Sequence, residues 1–373
     1  MSYLDEMMVF NRQVQVVATE YLDWKIRTFN QASNYTLSLG MGDMVGDWSE
    51  EAFYRQIPNL INRRDAYADG EVSAERITQT LDVNIHVDRR VGPVEWTREQ
   101  FRRIGQDQAT AGYLIGVGAA EGILAEILDT LVATLMTCFS SITRDKDLNS
   151  NSDPDAYFKY DNTVIVDKLD LFALNQGAAL FGDRSSAITT WIMDGLTYHG
   201  FIAESLKNEQ RLFRFGNVNV MQDGLGRRFI VSDIPSLRSA QHKVFNADSN
   251  AFEPLDNDKG PRYFRALGLT PGAAGVTRTS LVSDTLPVLR RENLGRVWQG
   301  EYGYKMGVKG YTLLAGTHYE KKLPQDSNFR SPPTDVILDP ASWAPLVSSV
   351  KDTAGVLVLG KTSSIESIAQ ATP

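Results

Sequence analysis

The sequence predicts an α+β protein, with helices and strands in blocks rather than in steady βαβ alternation. Three stretches carry that reading. Residues 3–30 hold an apolar stripe at helical spacing. Leu81, Val83, Ile85 and Val87 alternate with Asp82, Asn84, His86 and Asp88, the period of a strand with one apolar face. Residues 97–139 keep an apolar helical face with no proline in it.

In the first stretch Phe10, Val14, Val17, Tyr21 and Trp24 recur every three or four residues. Polar residues from Asn30 to Tyr35 end that helix. Gly40, Gly42 and Gly46 punctuate the next stretch, 36–95, and a short helical piece is expected around Glu50–Arg64. This excursion is too polar to own a large core. The third stretch opens with Thr97 and Gln100 at capping-box spacing. As one helix it would span roughly 60 Å. Its glycines 112, 116, 118 and 122 each cost about 1 kcal/mol relative to Ala, which points to a bend or to close backbone packing. A polar loop, 144–162, reads as a domain boundary. Beyond it the pattern predicts a helix over Asp183–Lys207 and a hairpin within 212–234, turning at Asp223-Gly224-Leu225-Gly226. An acidic loop (246–262), short strands over 263–315, a helix near Ser342–Lys351 and a strand at Val356–Leu359 complete the chain. A long helix beside a wet β excursion implies surfaces completed by other subunits.

The chain's 373 residues allow about two domains and a large core. A net charge of −8 argues against wrapping DNA or coating an anionic membrane. The single cysteine, Cys138, leaves no intrachain disulfide and no Cys-based zinc site; at the end of an apolar helix it reads as buried and inert. The first residues lack the basic-then-apolar pattern of a signal peptide. No uninterrupted apolar run of about 18 residues is present, so no membrane partner is expected.

Several motifs point to chemistry. Residues Gly355 to Thr362 fit the phosphate-loop pattern G-x-x-x-x-G-K-T. Their middle, Val-Leu-Val-Leu, favours a buried extended strand instead. Gly116, Gly118 and Gly122 resemble a dinucleotide turn with one residue too many, inside a helical pattern rather than after a strand. Asp147, Asn149, Asn151 and Asp153 echo a calcium loop, but Ser152 and Phe158 stand where Gly and Glu are needed. The acidic run Asp248, Glu253, Asp256 and Asp258 reads as a solvated loop. No two of His86, His199, His242 and His318 lie at metal-ligand spacing. No G-x-S-x-G elbow occurs. The expectation is therefore no enzyme, no cofactor and no metal.

The order of features resembles the major capsid proteins of tailed bacteriophages. The segments carrying the resemblance are Trp48-Ser49-Glu50-Glu51-Ala52-Phe53 through Asn62-Arg63-Arg64-Asp65, Gly182-Asp183 through Lys207, and Gly226-Arg227-Arg228-Phe229-Ile230-Val231-Ser232-Asp233. The resemblance implies an HK97-like capsid fold. Its parts would be an N-terminal arm (1–35), an extended E-loop (36–95) and a peripheral domain with a spine helix (96–150). An axial domain (151–285) and the return strands with a C-terminal helix and strand (286–373) would follow.

It further implies a homo-oligomer of hexamers and pentamers closing an icosahedral shell around DNA in the virion, made in the host cytoplasm. Phe10, Val14, Val17, Tyr21 and Trp24 of the arm, and Leu81, Val83, Ile85 and Val87 of the E-loop, are the expected subunit contacts. Arg63, Arg64, Arg89 and Arg90 are expected to bridge subunits. Residues 36–95 contain no Lys, so a Lys–Asn weld from this loop is not expected. The excursion begins near residue 36, which leaves no space for a fused scaffold; a separate scaffold or none is expected, with portal and decoration proteins as further partners. The rival readings are an encapsulin-like compartment shell, a nucleotide-dependent enzyme using the glycine motifs, and another virion component such as a portal.

Overall fold

The computed structural model describes residues 3–42, 48–54, 79–97, 108–139, 162–205, 210–215, 218–222, 226–239, 243–246, 251–254, 263–288, 295–313, 334–347 and 350–361. In chain order the elements are α1 (Tyr3–Ala32), β1 (Leu37–Met41), β2 (Trp48–Tyr54), β3 (Gln79–Thr97), α2 (Gln108–Phe139), β4 (Thr163–Lys168), α3 (Leu171–Ala179) and β5 (Thr190–Met193). Then come α4 (Gly195–Ser205), β6 (Gln210–Phe215), β7 (Val218–Gln222), β8 (Arg228–Ser232), β9 (Arg238–Ser239), β10 (Lys243–Asn246) and β11 (Ala251–Pro254). The chain continues with β12 (Tyr263–Leu269), β13 (Ala274–Arg278), β14 (Val282–Val288), β15 (Gly295–Val308), β16 (Tyr311–Leu313), α5 (Thr334–Ile337), β17 (Trp343–Pro345) and β18 (Gly355–Lys361).

Two eight-stranded sheets organise most of these elements, and β10 and β11 pair separately as a two-stranded sheet. In the first, β15 is the spine: β3 lies along one side of it, β14 and β13 along the other, with β1 parallel beside β13. The second runs β4-β18-β12-β5-β8-β7-β6. Its two faces are both covered. Leu357 and Leu359 of β18 join the large core with α1, α2 and the first sheet, while Val356 and Val358 face the smaller core with α3 and α4. A strand buried on both faces is apolar at every position rather than at alternate ones. That is why Val-Leu-Val-Leu sits where the phosphate-loop pattern matched. Both glycines of that pattern have packing reasons. A Cβ at Gly355 would strike the Gly268 carbonyl, and one at Gly360 would lie 2.8 Å from the Leu169 backbone nitrogen.

α2 is 32 residues long, about 48 Å. By length and composition it could cross a bilayer, but most of that stretch is buried by the rest of the chain, as in the core helix of a folded domain. α1 crosses it closely. A Cβ on Gly112 would lie 3.2 Å from the Phe10 ring, and one on Gly116 would lie 3.1 Å from Val17 and 3.2 Å from the Val14 carbonyl. Close helix packing is thus the role of these two glycines. Gly118 and Gly122 face open space.

Four local expectations are corrected. Residues 48–54 form a strand rather than the start of a helix, held by antiparallel pairing from Trp48↔Ile85 to Tyr54↔Gln79; this pairing overrides the helix propensity of Glu-Glu-Ala. Thr97 ends β3 rather than capping α2. The helix expected over Asp183–Lys207 is a 3-10 turn (Gly182–Ala187), the buried strand β5 and the helix α4. The run Thr189-Thr190-Trp191-Ile192 is β-branched and aromatic, and Asp194 accepts the Thr197 amide at 3.0 Å to start α4. Ser342–Lys351 holds β17 and a short 3-10 turn instead of a helix. The expected hairpin is present as β7–β8. The loop at 144–161, and with it Asp147 to Asp153, lies outside the described residues, as do Arg63, Arg64, His242 and His318.

Candidate subunit-contact surfaces

The arm helix buries Phe10, Val14, Ala18, Leu22, Ile26 and Phe29. Phe10 packs on Trp96 with ring centroids 4.9 Å apart and the rings tilted by 47°. Phe10 and Val14 are 3% and 0% exposed within this one chain, so the expectation that they meet a neighbour is corrected: their partner is α2. Val17 is half-buried on Gly116. Trp24, in contrast, is 58% exposed, with Tyr21 half-buried beside it and the Lys25 ammonium 4.6 Å from the Trp24 ring.

β3 has two parts. From Ile85 to Thr97 it pairs with β15; from Gln79 to Ile85 it pairs with β2. Leu81 and Val83 therefore lie beyond the β15 pairing, and Ile85 marks the changeover; the side chains of these three are outside the described residues. Val87 is fully buried against its own chain, opposite Tyr304, which corrects its assignment as a subunit contact. Among the described residues the Gln79–Leu81 end of β3 is paired by β2 alone.

The sequence reading missed a junction at that strand. Glu126 of α2 is a hub. Its Oε1 accepts from Arg89 Nε at 2.6 Å, Thr130 Oγ1 at 3.0 Å and Tyr304 OH at 3.0 Å, and its Oε2 accepts from Tyr302 OH at 2.8 Å. One carboxylate thus ties β3, α2 and β15 together. Arg89 makes an internal bridge to Glu126, while Arg90 points to solvent. Burial, then the nearby Glu126 charge, raises both Tyr302 and Tyr304 well above the usual phenol range. The same two causes raise Asp129. The signal for Arg89 was its parity: it shares a strand face with Val87.

A second junction joins the two sheets. The buried amide Nδ2 of Asn162 lies 3.1 Å from Tyr311 OH, 2.7 Å from Thr353 Oγ1 and 2.7 Å from the Gly355 carbonyl. Arg228 donates to the carbonyls of Gln31 and Ala32 at 2.6 and 2.7 Å, closing the C-terminus of α1. Burial pushes the Cys138 thiol far up, away from nucleophilic use. His86 pairs with Asp88 at 3.1 Å. Among the described residues no three His, Cys, Asp or Glu side chains converge as a metal site would require.

The described polar clusters therefore hold elements together rather than enclose a reacting group. A family model, Gp13-like (major capsid protein 13-like), matches residues 6–357. The chain belongs to that family. This capsid protein is also similar to solved phage structures. One is from Mycobacterium phage Cain, at 10% identity over 89% of this chain and 90% of that one, TM-score 0.43. The asymmetric unit of the bacteriophage PhiM1 mature capsid gives 12% identity, coverage of 88% and 86%, and TM-score 0.43. The Cyanophage Pam1 capsid asymmetric unit gives 10% identity, coverage of 86% and 87%, and TM-score 0.45. No curated protein sequence matches the chain.

Proposed function

We propose that this capsid protein builds an icosahedral phage head from hexamers and pentamers of itself, enclosing double-stranded DNA, and that its role is structural rather than enzymatic. The family match over residues 6–357 carries the proposal. The physics of the chain supports it. A two-stranded ribbon is marginal alone in water, so the β2–β3 arm beyond Ile85 is best stabilised by lying on another copy. Leu81, Val83 and Ile85 are the E-loop residues proposed to make that contact, with Arg63, Arg64 and Arg90 as charged partners. On the arm helix the contact is narrowed to Tyr21 and Trp24. The acidic balance suits an inner wall that does not trap DNA during filling.

Electron microscopy of the purified protein, with light scattering on the same sample, tests the proposal. Closed shells, or rings of five and six, are expected. A monodisperse monomer both alone and with the other head proteins of the same phage would contradict it.

A further inference from the structure

The second sheet carries a cleft of about 340 Å³ between α3, the 3-10 turn at Gly182–Ala187 and the Gly226–Arg227 stretch that leads into β8. Its apolar side is Trp191 and Leu174, both buried. Its polar groups are the Asn175 amide, the Ser185, Ser186 and Thr189 hydroxyls and the Arg227 guanidinium. Among the described residues no carboxylate lines it. The Thr189 hydroxyl is buried without a hydrogen-bond partner. The side chains of Asn175 and Ser186 are exposed and those of Ser185 and Arg227 half-buried, and among the described residues none of the four has a protein partner.

Buried polar groups in folded proteins find partners, and an orphan costs the desolvation of that group. A cleft whose described lining has one arginine, four further donors and no anion is complementary to a carboxylate on an apolar stem. We infer that this cleft receives an acidic side chain from a second copy of the chain. The inference rests on the shell reading proposed above and gives one of its contacts. Charge favours that occupant: the chain carries 46 acidic against 38 basic residues, so a neighbour presents carboxylates.

Nucleic acid fits less well. On the 3-10 turns at Gly182–Ala187 and Val350–Asp352, Arg184 is paired with Asp352 at 2.6 Å and Lys351 with Asp183, and Arg228 is engaged by the carbonyls of Gln31 and Ala32. A single unmatched arginine is not the run of cations that phosphate backbones recruit.

The test uses assembled particles and unassembled subunit of the full chain. In an Arg227→Lys variant, a water-soluble carbodiimide joins an amine to a carboxylate in contact with it, with loss of water. A ladder of covalent oligomers is expected from variant particles, and not from wild-type particles or unassembled variant. Mass spectrometry is expected to place the bond between position 227 and an Asp or Glu of another copy. As a second reading on the unaltered protein, an arginine-directed glyoxal is expected to modify Arg227 at least tenfold more slowly in particles than in free subunit. Normal particles with no ladder and equal Arg227 reactivity would overturn the inference and leave the shell reading intact. Protection only in DNA-filled particles would assign the cleft to phosphate and overturn it. Protection of the free subunit by citrate, without a ladder, would assign it to a small free anion and overturn it too. Absence of any particle from the wild-type protein would sink the shell reading first.

Discussion

Glu126 and Arg227 are both charged groups at the meeting of three segments, and their surroundings are opposite. The Glu126 carboxylate receives four donors from its own chain, contributed by β3, α2 and β15. Arg227 and its neighbours offer donors and receive no acceptor among the described residues. The first cluster is closed by the fold and fixes where the arm leaves the body. The second is left open by the fold. On the proposed shell reading, closed clusters set the shape of the subunit, and open ones are what it presents to the next copy.

The contrast predicts a graded series of substitutions, read by chemical denaturation of the unassembled subunit. The largest effect is expected where the backbone itself is packed shut. Gly355→Ala pushes a methyl group into the Gly268 carbonyl and should cost about 3 kcal/mol. A loss below about 1 kcal/mol would mean β18 and β12 part easily. Glu126→Ala comes next. It orphans three hydroxyls and Arg89, and since that ion pair is about a third exposed, roughly 2 kcal/mol is expected. Hydrogen exchange along residues 85–97 should rise in the same variant; unchanged exchange would show that the arm base does not depend on Glu126.

Tyr302→Phe removes one donor and should cost about 1 kcal/mol. It carries a pH signature as well. Both phenols are raised in the folded state, so the fold holds their protons where the unfolded chain releases them. Their contribution is fully present below the unfolded phenol value of about 10 and falls as pH rises beyond it. Wild-type stability should therefore drop above that pH, less steeply in Tyr302→Phe and Tyr304→Phe. Parallel slopes in all three proteins would remove the phenols from the account. The smallest effect is Arg227→Gln, expected within about 0.5 kcal/mol of wild type because its side chain has no hydrogen-bond or ion-pair partner among the described residues. A loss as large as that of Glu126→Ala would break the distinction between closed and open clusters.

Much of the fold was legible from local pattern. Val356–Leu359 reads as a strand because a doubly covered strand has no polar face, and the coordinates place it between two cores. The arm helix was read correctly as a helix, with the wrong face over half its length. Heptad spacing through the aromatics Tyr21 and Trp24 is conspicuous, whereas the buried line runs through Ala18, Leu22 and Ile26. That line drifts because α1 packs first on α2 and then near β1, where Asn30 Nδ2 lies 2.6 Å from the Leu39 carbonyl and its Oδ1 accepts the Leu39 amide at 3.0 Å. No periodicity in one segment encodes a change of partner. Strand β2 was illegible for the same reason: its pairing with residues 79–85 decides it, not its own propensity. The junctions were hidden by distance along the chain. Arg89 and Glu126 are 37 residues apart, and Glu126 and Tyr304 are 178 apart.

The most direct test of the central claim is a density map of the assembled shell at a resolution that shows side chains. The account predicts that Glu126 keeps the four donors of its own chain in every copy, while the cleft at Thr189 and Arg227 holds a carboxylate from a neighbouring copy. A solvent-filled cleft in every copy, or a Glu126 bonded across the subunit boundary, would contradict it.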